Sequence, residues 1–419
     1  MPFVRLPSGI AMTERKTFYF DNNATTRVAP EVVDAMIPFL RDFWGNPSSA
    51  YTFGSQVGKQ IEVAREKVAA LIGAEPKEIV FTSCGTESNN AVLQSALATQ
   101  PGKRHILTTA VEHSAIVKHC EWLQKQGCEV TFLPVDADGM LDLHLLDQSI
   151  RPDTAVVSVM WANNETGVIF PVEEIAAICR SRGVLFHTDA TQAPGKLKLD
   201  VGDVGADFLT LSAHKLHAPK GIGLLYVRRR TKFQPFLIGG HQERGKRGGT
   251  ENVSGIVGFG RAAELALERL EDENTRVRAL RDRLEETILR TVPNTLRNGA
   301  KEPRLPNTSN IAFDFVEAEG ILMMLDELGI CASSGSACTT GSLNPSHVLT
   351  AMGIKPARAK GCVRFSLGCY NTGDEVDYLL THIPKVIARL REAAPDKLAR
   401  HAKHAASHAP AVMVDSHPK

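Results

Sequence analysis

Long apolar runs are missing from this sequence. The longest candidate, residues 155–162, is interrupted by Ser158 and is well short of the roughly 18 residues that a membrane-spanning helix needs. An excess of one charge is missing too, since 48 lysines and arginines stand against 47 aspartates and glutamates. Short basic stretches such as residues 228–230 are not interleaved with aromatic residues. We therefore expect neither a membrane protein nor a nucleic-acid-binding protein.

Cysteine is sparse, and its spacing is not that of a metal site. No two of the eight cysteines stand in a C-x-x-C arrangement, which argues against a zinc or iron–sulfur site of the chain's own. A chain of 419 residues can build a core without disulfides, and no charged-then-apolar leader precedes the first predicted strand. We expect free thiols, no resident metal and a cytoplasmic protein.

Short apolar stretches alternate with one-faced helical patterns through the middle of the chain. Seven of them read as strands, at residues 79–82, 105–108, 129–133, 155–160, 184–187, 208–211 and 224–227. This alternation predicts an α/β fold with a large, mostly parallel seven-stranded sheet. A long helical run at 254–291 and a mixed pattern beyond it predict a smaller α+β domain. The predicted division is an irregular arm (1–17), a large domain (18–270), a small domain (271–395) and a flexible tail (396–419).

Lys215 lies between two of the predicted strands, on a connector that Pro219 and Gly221 keep from being helical. An amine beside the hydroxyl of Ser212 and the imidazole of His214 is suited to form a Schiff base with a phosphate-bearing aldehyde cofactor. A solvated lysine in a surface turn would show the same local pattern. The choice between them depends on the other strand ends.

Polar residues also follow four other predicted strands. Thr86 and the preceding Gly85 open a helix whose free N–H groups could hold a phosphate, although a simple helix cap has the same composition. Asp189 could hold a protonated pyridine nitrogen, and His113 could stack on a flat ring or serve a structural role. Asn164 follows the fourth strand. Because parallel strands collect ligands at their carboxyl ends, these residues together with Lys215 predict a pyridoxal phosphate pocket.

Two further residues have side chains suited to a substrate. Cys338 is the only nucleophile in residues 333–342, a stretch without a large apolar side chain, where the alternative is an incidental thiol in a linker. Arg364 lies in a predicted strand, and its guanidinium matches a carboxylate in bidentate fashion.

Six motifs of the chain, taken together, resemble those of the cysteine desulfurases. They occupy residues 21–26, 84–88, 162–167, 213–215, 239–245 and 333–338, within a similarity that covers about residues 18–395. Residues 160–166 and 215–220 look most like the NifS type associated with nitrogen fixation. The resemblance implies a fold-type I, pyridoxal-phosphate-dependent transferase.

The resemblance also implies a role for individual residues. Lys215 would be the Schiff-base lysine, with Asp189 on the ring nitrogen, Gln192 on the phenolic oxygen and His113 stacked on the ring. The phosphate would be held by Gly85, Thr86, Ser212 and His214, and by Thr250 from the neighbouring subunit of a homodimer with shared active sites. Arg364, Asn164 and Asn46 would bind the carboxylate of L-cysteine.

The implied reaction converts L-cysteine to L-alanine and leaves the sulfur as a persulfide on Cys338. Delivery would be to iron–sulfur cluster assembly on a NifU-like scaffold protein, with only transient contact between Cys338 and a cluster. Two alternatives stay open. A fold-type I aminotransferase or selenocysteine lyase would share Lys215, but an aminotransferase would have no use for Cys338. A non-catalytic sulfur carrier would need neither Lys215 nor a cofactor.

Overall fold

The structure is a computed structural model and describes residues 16–334 and 345–393. Its strands, in chain order, are β1 (Phe18–Tyr19), β2 (Ile79–Thr82), β3 (His105–Thr109), β4 (Glu129–Leu133), β5 (Thr154–Ser158), β6 (Leu185–Asp189), β7 (Phe208–Ser212), β8 (Gly223–Val227), β9 (Thr295–Arg297), β10 (Thr308–Phe313), β11 (Ile330–Cys331) and β12 (Cys362–Ser366).

The central sheet has seven strands in the order β2-β8-β7-β6-β5-β3-β4. Strands β3 to β7 pair in parallel, whereas β8 runs antiparallel to both of its neighbours. The mostly parallel seven-stranded sheet predicted from the sequence is thus confirmed. Strands β2, β3, β5, β7 and β8 are buried along their whole length, which is why they read as short continuous apolar runs.

Helices cover the sheet and link its strands. In chain order they are α1 (Pro30–Arg41), α2 (Thr52–Leu71), α3 (Gly85–Ala98), α4 (Ser114–Lys125), α5 (Leu143–Ser149), α6 (Val172–Arg182), α7 (Val201–Val204), α8 (Val253–Glu268), α9 (Leu270–Asp272), α10 (Arg278–Thr291), α11 (Ala318–Glu327), α12 (His347–Ala351), α13 (Pro356–Ala359) and α14 (Gly373–Glu392). Pro30 begins α1, where its missing N–H is not needed, and left-handed Gly183 ends α6.

The predicted helical run at 254–291 is divided in the structure. Helix α8 ends at Glu268, α9 follows, and residues Glu273–Val277 form a π-helical turn before α10 begins. The sequence pattern did not reveal this turn, because the segments on both sides of it are α-helical and keep helical spacing.

Two large hydrophobic clusters form the cores. The first surrounds the seven-stranded sheet. The second lies around the antiparallel sheet β12-β10-β9 and includes Phe18 and Phe20 from the start of the described chain. Strand β1 pairs in parallel with β11, so this early segment packs with late ones. The division into domains near residue 270 stays a prediction. Among the described residues, we find no helix long and apolar enough to cross a membrane.

Candidate active site

A cavity of about 320 Å³ opens at the carboxyl ends of the central strands. It is lined by Asn23, Ala24, Cys84, Gly85, Thr86, Asn89, His113, Met160, Ala162, Asn164, Asp189, Thr191, Gln192, Ser212, His214, Lys215 and Arg364. The structure therefore brings together most of the site residues predicted from the sequence, although they come from separate strand ends.

Lys215 ends a single turn of 3-10 helix that follows β7 directly. Its half-buried ammonium donates hydrogen bonds to the backbone carbonyls of Asn23 and Ala24, each at 2.6 Å. Its amine therefore lies beside the N-terminal segment, in the cavity. These two carbonyl partners are a feature that sequence reasoning missed, because a backbone carbonyl has no residue-type signal.

Asp189 is the last residue of β6, and its side chain has two fixed hydrogen bonds. Asn89 Nδ2 donates to Asp189 Oδ2 at 2.7 Å, and the amide of Thr191 donates to Oδ1 at 3.0 Å. Both Asn89 and Asp189 are buried. Asn89 was not singled out from the sequence, although it lies on α3 only three residues after Thr86. This arrangement orients the carboxylate towards the cavity.

Gln192 and Asn23 connect the carboxyl end of β6 with strand β10 of the antiparallel sheet. Gln192 Nε2 donates to the carbonyl of Asn23 at 3.0 Å, and Asn23 Nδ2 donates to Thr308 Oγ1 at 2.8 Å. Gln192 Oε1 and Asn89 Oδ1 are buried yet have no hydrogen-bond partner anywhere in the described chain. Two unpartnered acceptors in one cavity indicate that a polar ligand belongs there.

Two imidazoles lie on the cavity wall, and both are kept neutral. His113 caps α4, accepting a hydrogen bond from the amide of Ala115 at Nδ1, and burial lowers its pKa. His214 contacts Thr25 Oγ1 through Nδ1 at 3.0 Å. Burial, with the neighbouring charge of Lys215, lowers the pKa of His214 to about 4. Neither ring therefore competes with Lys215 as a cation.

Glu112, the residue before His113, is fully buried behind the cavity. Its Oε1 accepts hydrogen bonds from Thr109 Oγ1 at 2.7 Å and from the amide of Met160 at 3.0 Å. Burial raises the pKa of Glu112 to about 8, so the carboxyl is protonated at neutral pH. This neutral acid links the ends of two strands directly beneath His113.

The turn between β2 and α3 forms the opposite wall of the cavity. Helix α3 begins at Gly85, and no side chain of the described residues caps its first turn. A Cβ at Gly85 would lie only 3.3 Å from Thr191 Oγ1, so the backbone approaches the neighbouring loop closely here. Uncapped N–H groups at a helix start, with the hydroxyls of Thr86 and Ser212 beside them, are suited to a phosphate.

Arg364 lies on β12 and is only 2% exposed. It donates from Nη1 to the carbonyl of Asn164 at 2.9 Å and from Nη2 to Asp21 Oδ1 at 2.7 Å. Its Nε, also buried, has no hydrogen-bond partner within residues 16–334 and 345–393. The guanidinium is thus held by two contacts and retains hydrogen-bonding capacity for a carboxylate.

Two of the predicted site residues do not line this cavity. Thr250 is exposed and lines a smaller cavity of about 140 Å³ on the other side of the β2–α3 turn. Asn46 is exposed, and its Oδ1 accepts a hydrogen bond from the amide of Ser48. Cys338 lies outside the described residues. Within the described ranges, no group of three His, Cys, Asp or Glu side chains could hold a metal ion.

Comparison with known proteins bears on the chemistry of this site. Residues 18–379 match the family model described as aminotransferase class-V. The chain is 55% identical over 379 residues to a cysteine desulfurase of Trichormus azollae, covering 90% of this chain and 95% of the relative. It is 53% identical to the cysteine desulfurase NifS of Azotobacter vinelandii, covering 90% and 94%. A solved NifS-like protein superposes with a TM-score of 0.84 at 40% identity, covering 89% and 99%.

The chain accordingly belongs to the class-V aminotransferase family of pyridoxal-phosphate-dependent enzymes with fold type I. A lysine amine, a carboxylate, unpartnered amide oxygens and an uncapped helix start, all in one cavity, are groups that fit this cofactor. Within the family the chain is a cysteine desulfurase of the NifS type, with cysteine as its substrate. A further solved neighbour, SspA in complex with cysteine, has a TM-score of 0.76 at 36% identity and covers 84% of this chain and 99% of its own.

Proposed function

We propose that this enzyme takes sulfur from L-cysteine onto Cys338, releases L-alanine, and passes the sulfur to an iron–sulfur scaffold protein. The observation that supports the first half is the convergence of Lys215, Asp189, Gln192, His113 and Arg364 on one cavity. An amine, a carboxylate and a guanidinium at one place match the needs of an amino-acid substrate and a pyridoxal cofactor.

Each residue then has a separate task. Pyridoxal phosphate, when bound, supplies the electron sink for a carbanion at the substrate α-carbon. Asp189 would hold the ring nitrogen, Gln192 the phenolic oxygen, and His113 would stack on the ring. Gly85, Thr86, Ser212 and His214 would hold the phosphate.

Arg364 and Asn164 would bind the substrate carboxylate. Because Asp21 accepts a hydrogen bond from Nη2 of Arg364, the guanidinium is already fixed in orientation before the substrate carboxylate binds to it. Asn46, which is exposed in the single chain, is proposed as a further contact. The amine of Lys215 would take the proton from the substrate α-carbon once the carboxylate is held.

The sulfur step needs a nucleophile, and we assign it to Cys338. Its thiolate would attack the substrate sulfur, forming an S–S bond while the Cβ–S bond breaks. The electron pair of the broken bond stays on carbon, which is protonated and leaves as the methyl group of L-alanine. The enzyme keeps the sulfur as a persulfide, so no outside oxidant is required.

A homodimer is the proposed assembly, with Thr250 reaching the phosphate of the neighbouring subunit. Apolar side chains that are exposed on and after α1 support a contact surface there, among them Leu40 (65% exposed) and Trp44 (73%). The proposed acceptor is a NifU-like scaffold protein, the proposed location is the cytoplasm, and the NifS names of relatives support a role in nitrogen fixation.

The test is an assay of the purified chain with pyridoxal phosphate and L-cysteine. Alanine and sulfide should form in equal amounts when a thiol reductant is present. Lys215→Ala should abolish both products and the visible absorbance of the bound cofactor. Cys338→Ala should abolish sulfur release, and mass spectrometry of the unreduced wild type should find one extra sulfur atom on the Cys338 peptide.

Cys331→Ala is the matched control, since this half-buried thiol does not line the cavity. It should behave as the wild type. Undiminished alanine formation by Cys338→Ala would reject Cys338 as the nucleophile, and amino-group transfer to a keto acid in place of desulfuration would favour the aminotransferase alternative.

A further inference from the structure

Strand β2 is an edge strand of the central sheet, and side chains cover its free edge. The carbonyl of Ile79 accepts hydrogen bonds from Arg65 Nη1 at 3.1 Å and from Arg244, and the amide of Phe81 donates to Glu243 Oε2 at 2.9 Å. Three charged side chains thus occupy the place of a neighbouring strand. Because β2 leads directly into the turn that begins α3, they also fix the start of the proposed phosphate site.

Glu243 is the centre of this arrangement. Glu243 is 5% exposed, and its carboxylate accepts two hydrogen bonds from Arg65, at 2.7 Å and 2.8 Å. The guanidinium of Arg65 lies over the ring of Phe81, 4.7 Å from its centroid. A buried carboxylate with a bidentate arginine and a backbone donor is fully partnered, so it holds its own backbone firmly against β2.

That backbone is in a conformation that needs such support. Glu243 has a φ of 47° and Arg244 a φ of 57°, so two consecutive residues other than glycine are left-handed. Residues with a Cβ rarely adopt this region, and a pair of them persists only where the surroundings enforce it. Here the buried carboxylate of Glu243 is the group that enforces it.

The same loop also contacts helix α3, whose first turn is the proposed phosphate site. Arg247 Nε donates to Glu87 Oε1 at 3.0 Å, and Glu87 Oε2 accepts a hydrogen bond from the amide of Ser83 at 2.7 Å. Gln242 Oε1 accepts from the amide of Gly249 at 3.2 Å. Residues 239–250, which we call the Glu243 loop, are therefore attached to β2 through Glu243 and to α3 through Arg247, and their last residue is the exposed Thr250.

We infer that Glu243 is a positioning residue for cofactor binding: by holding the Glu243 loop in its left-handed bend, it presents Thr250 to the phosphate of the partner subunit's cofactor. This inference rests on the proposed homodimer and on the proposed role of Thr250. It adds that one loop, anchored on the phosphate site of its own subunit, also serves the phosphate site of the other.

The test compares two ligands that differ only in the phosphate. Full-length Glu243→Gln, confirmed as a dimer by sedimentation, is dialysed against pyridoxal 5'-phosphate and against pyridoxal. Loss of one phosphate hydrogen bond should weaken pyridoxal 5'-phosphate binding by about tenfold, while pyridoxal binding stays within about twofold. Glu62→Gln is the matched control, because Glu62 pairs with the same Arg65 from the exposed side and does not touch the loop. It should bind both ligands as the wild type does.

Arg65→Lys, which keeps the charge but not the bidentate contact, should repeat the selective loss if Glu243→Gln proves too unstable to purify. Thr250→Ala should show the same loss, and the double variant Glu243→Gln/Thr250→Ala should be no worse than either. Equal weakening of both ligands, or additive losses in the double variant, would overturn the inference. A selective loss in Thr250→Ala but not in Glu243→Gln would overturn the Glu243 assignment alone, whereas no loss in Thr250→Ala would overturn the role of Thr250 as well.

Discussion

Asn89 offers a sharp test of the site, because sequence reasoning did not select it and the structure gives it one clear task. Its Nδ2 donates to Asp189 Oδ2 at 2.7 Å, with Asn89 1% exposed and Asp189 6% exposed. A hydrogen bond to a charged group contributes about 1.5–3 kcal/mol. In Asn89→Ala the carboxylate loses this donor and keeps only the amide of Thr191.

Asp189 is the residue proposed to keep the ring nitrogen of the cofactor protonated. Asn89→Ala should therefore remove the whole free energy of this hydrogen bond from the transition state. At 1.36 kcal/mol for each factor of ten, kcat/KM for alanine formation should fall by about 10- to 150-fold. The assay is steady-state alanine production from L-cysteine at saturating pyridoxal phosphate, together with a thermal melt that checks folding.

Asn90→Ala is the control, since Asn90 is the next residue of α3 but does not line the cavity. Its kcat/KM should stay within about twofold of the wild type, because no reacting group loses a partner. A folded, cofactor-saturated Asn89→Ala with a kcat/KM within twofold of the wild type would refute the idea that this hydrogen bond orients Asp189 for catalysis.

Three other predictions concern stability and assembly. Arg304 is 2% exposed and donates a hydrogen bond to Glu285 at 2.6 Å, so Glu285→Ala leaves it as a buried unpaired charge. Denaturant titration of this variant should show a free energy of unfolding lower by about 3–5 kcal/mol, and a loss below about 1 kcal/mol would contradict this. Burial raises the pKa of Glu112 to about 8, so the folded chain keeps a proton that the unfolded chain releases above the ordinary pKa of 4.5. Stability should therefore fall as pH rises from 4.5 to 8, and Glu112→Gln should flatten this slope. Equal slopes in the wild type and the variant would argue against a buried neutral acid. Leu40→Asp should shift sedimentation towards a monomer, whereas Met323→Asp on α11, where Met323 is similarly exposed (71% against 65%), should not. An unchanged dimer in Leu40→Asp would remove α1 from the interface.

The part of the site that was visible in the sequence is the part that depends on strand ends. Asp189 and Lys215 each follow a short apolar run, and the ends of parallel strands meet at one edge whatever the distance along the chain. The resemblance to a known family then supplied their roles. Periodicity also located every strand of the central sheet, since these strands are short and most of them are buried.

The residues that were missed act through contacts that have no local signal. Asn89 is one of several polar residues on α3, and its importance depends on which strand end lies beside that helix. Asn23 acts on Lys215 through its backbone carbonyl, which every residue possesses. The left-handed bend at Glu243 is held by Arg65 from a distant helix, so nothing within residues 239–250 indicated it.

The pairing of β1 with β11 has a consequence for how the chain reaches its native state. Phe18 and Phe20 complete a core whose other members come mostly from residues 277–387. During synthesis these two aromatic side chains emerge first, and their partners are made last. The second core therefore closes only after nearly the whole described chain has left the ribosome, and we expect these apolar residues to need protection until then. Limited proteolysis of stalled, truncated chains of increasing length would test this: residues near Phe18 should become protected from cleavage only in the longest chains.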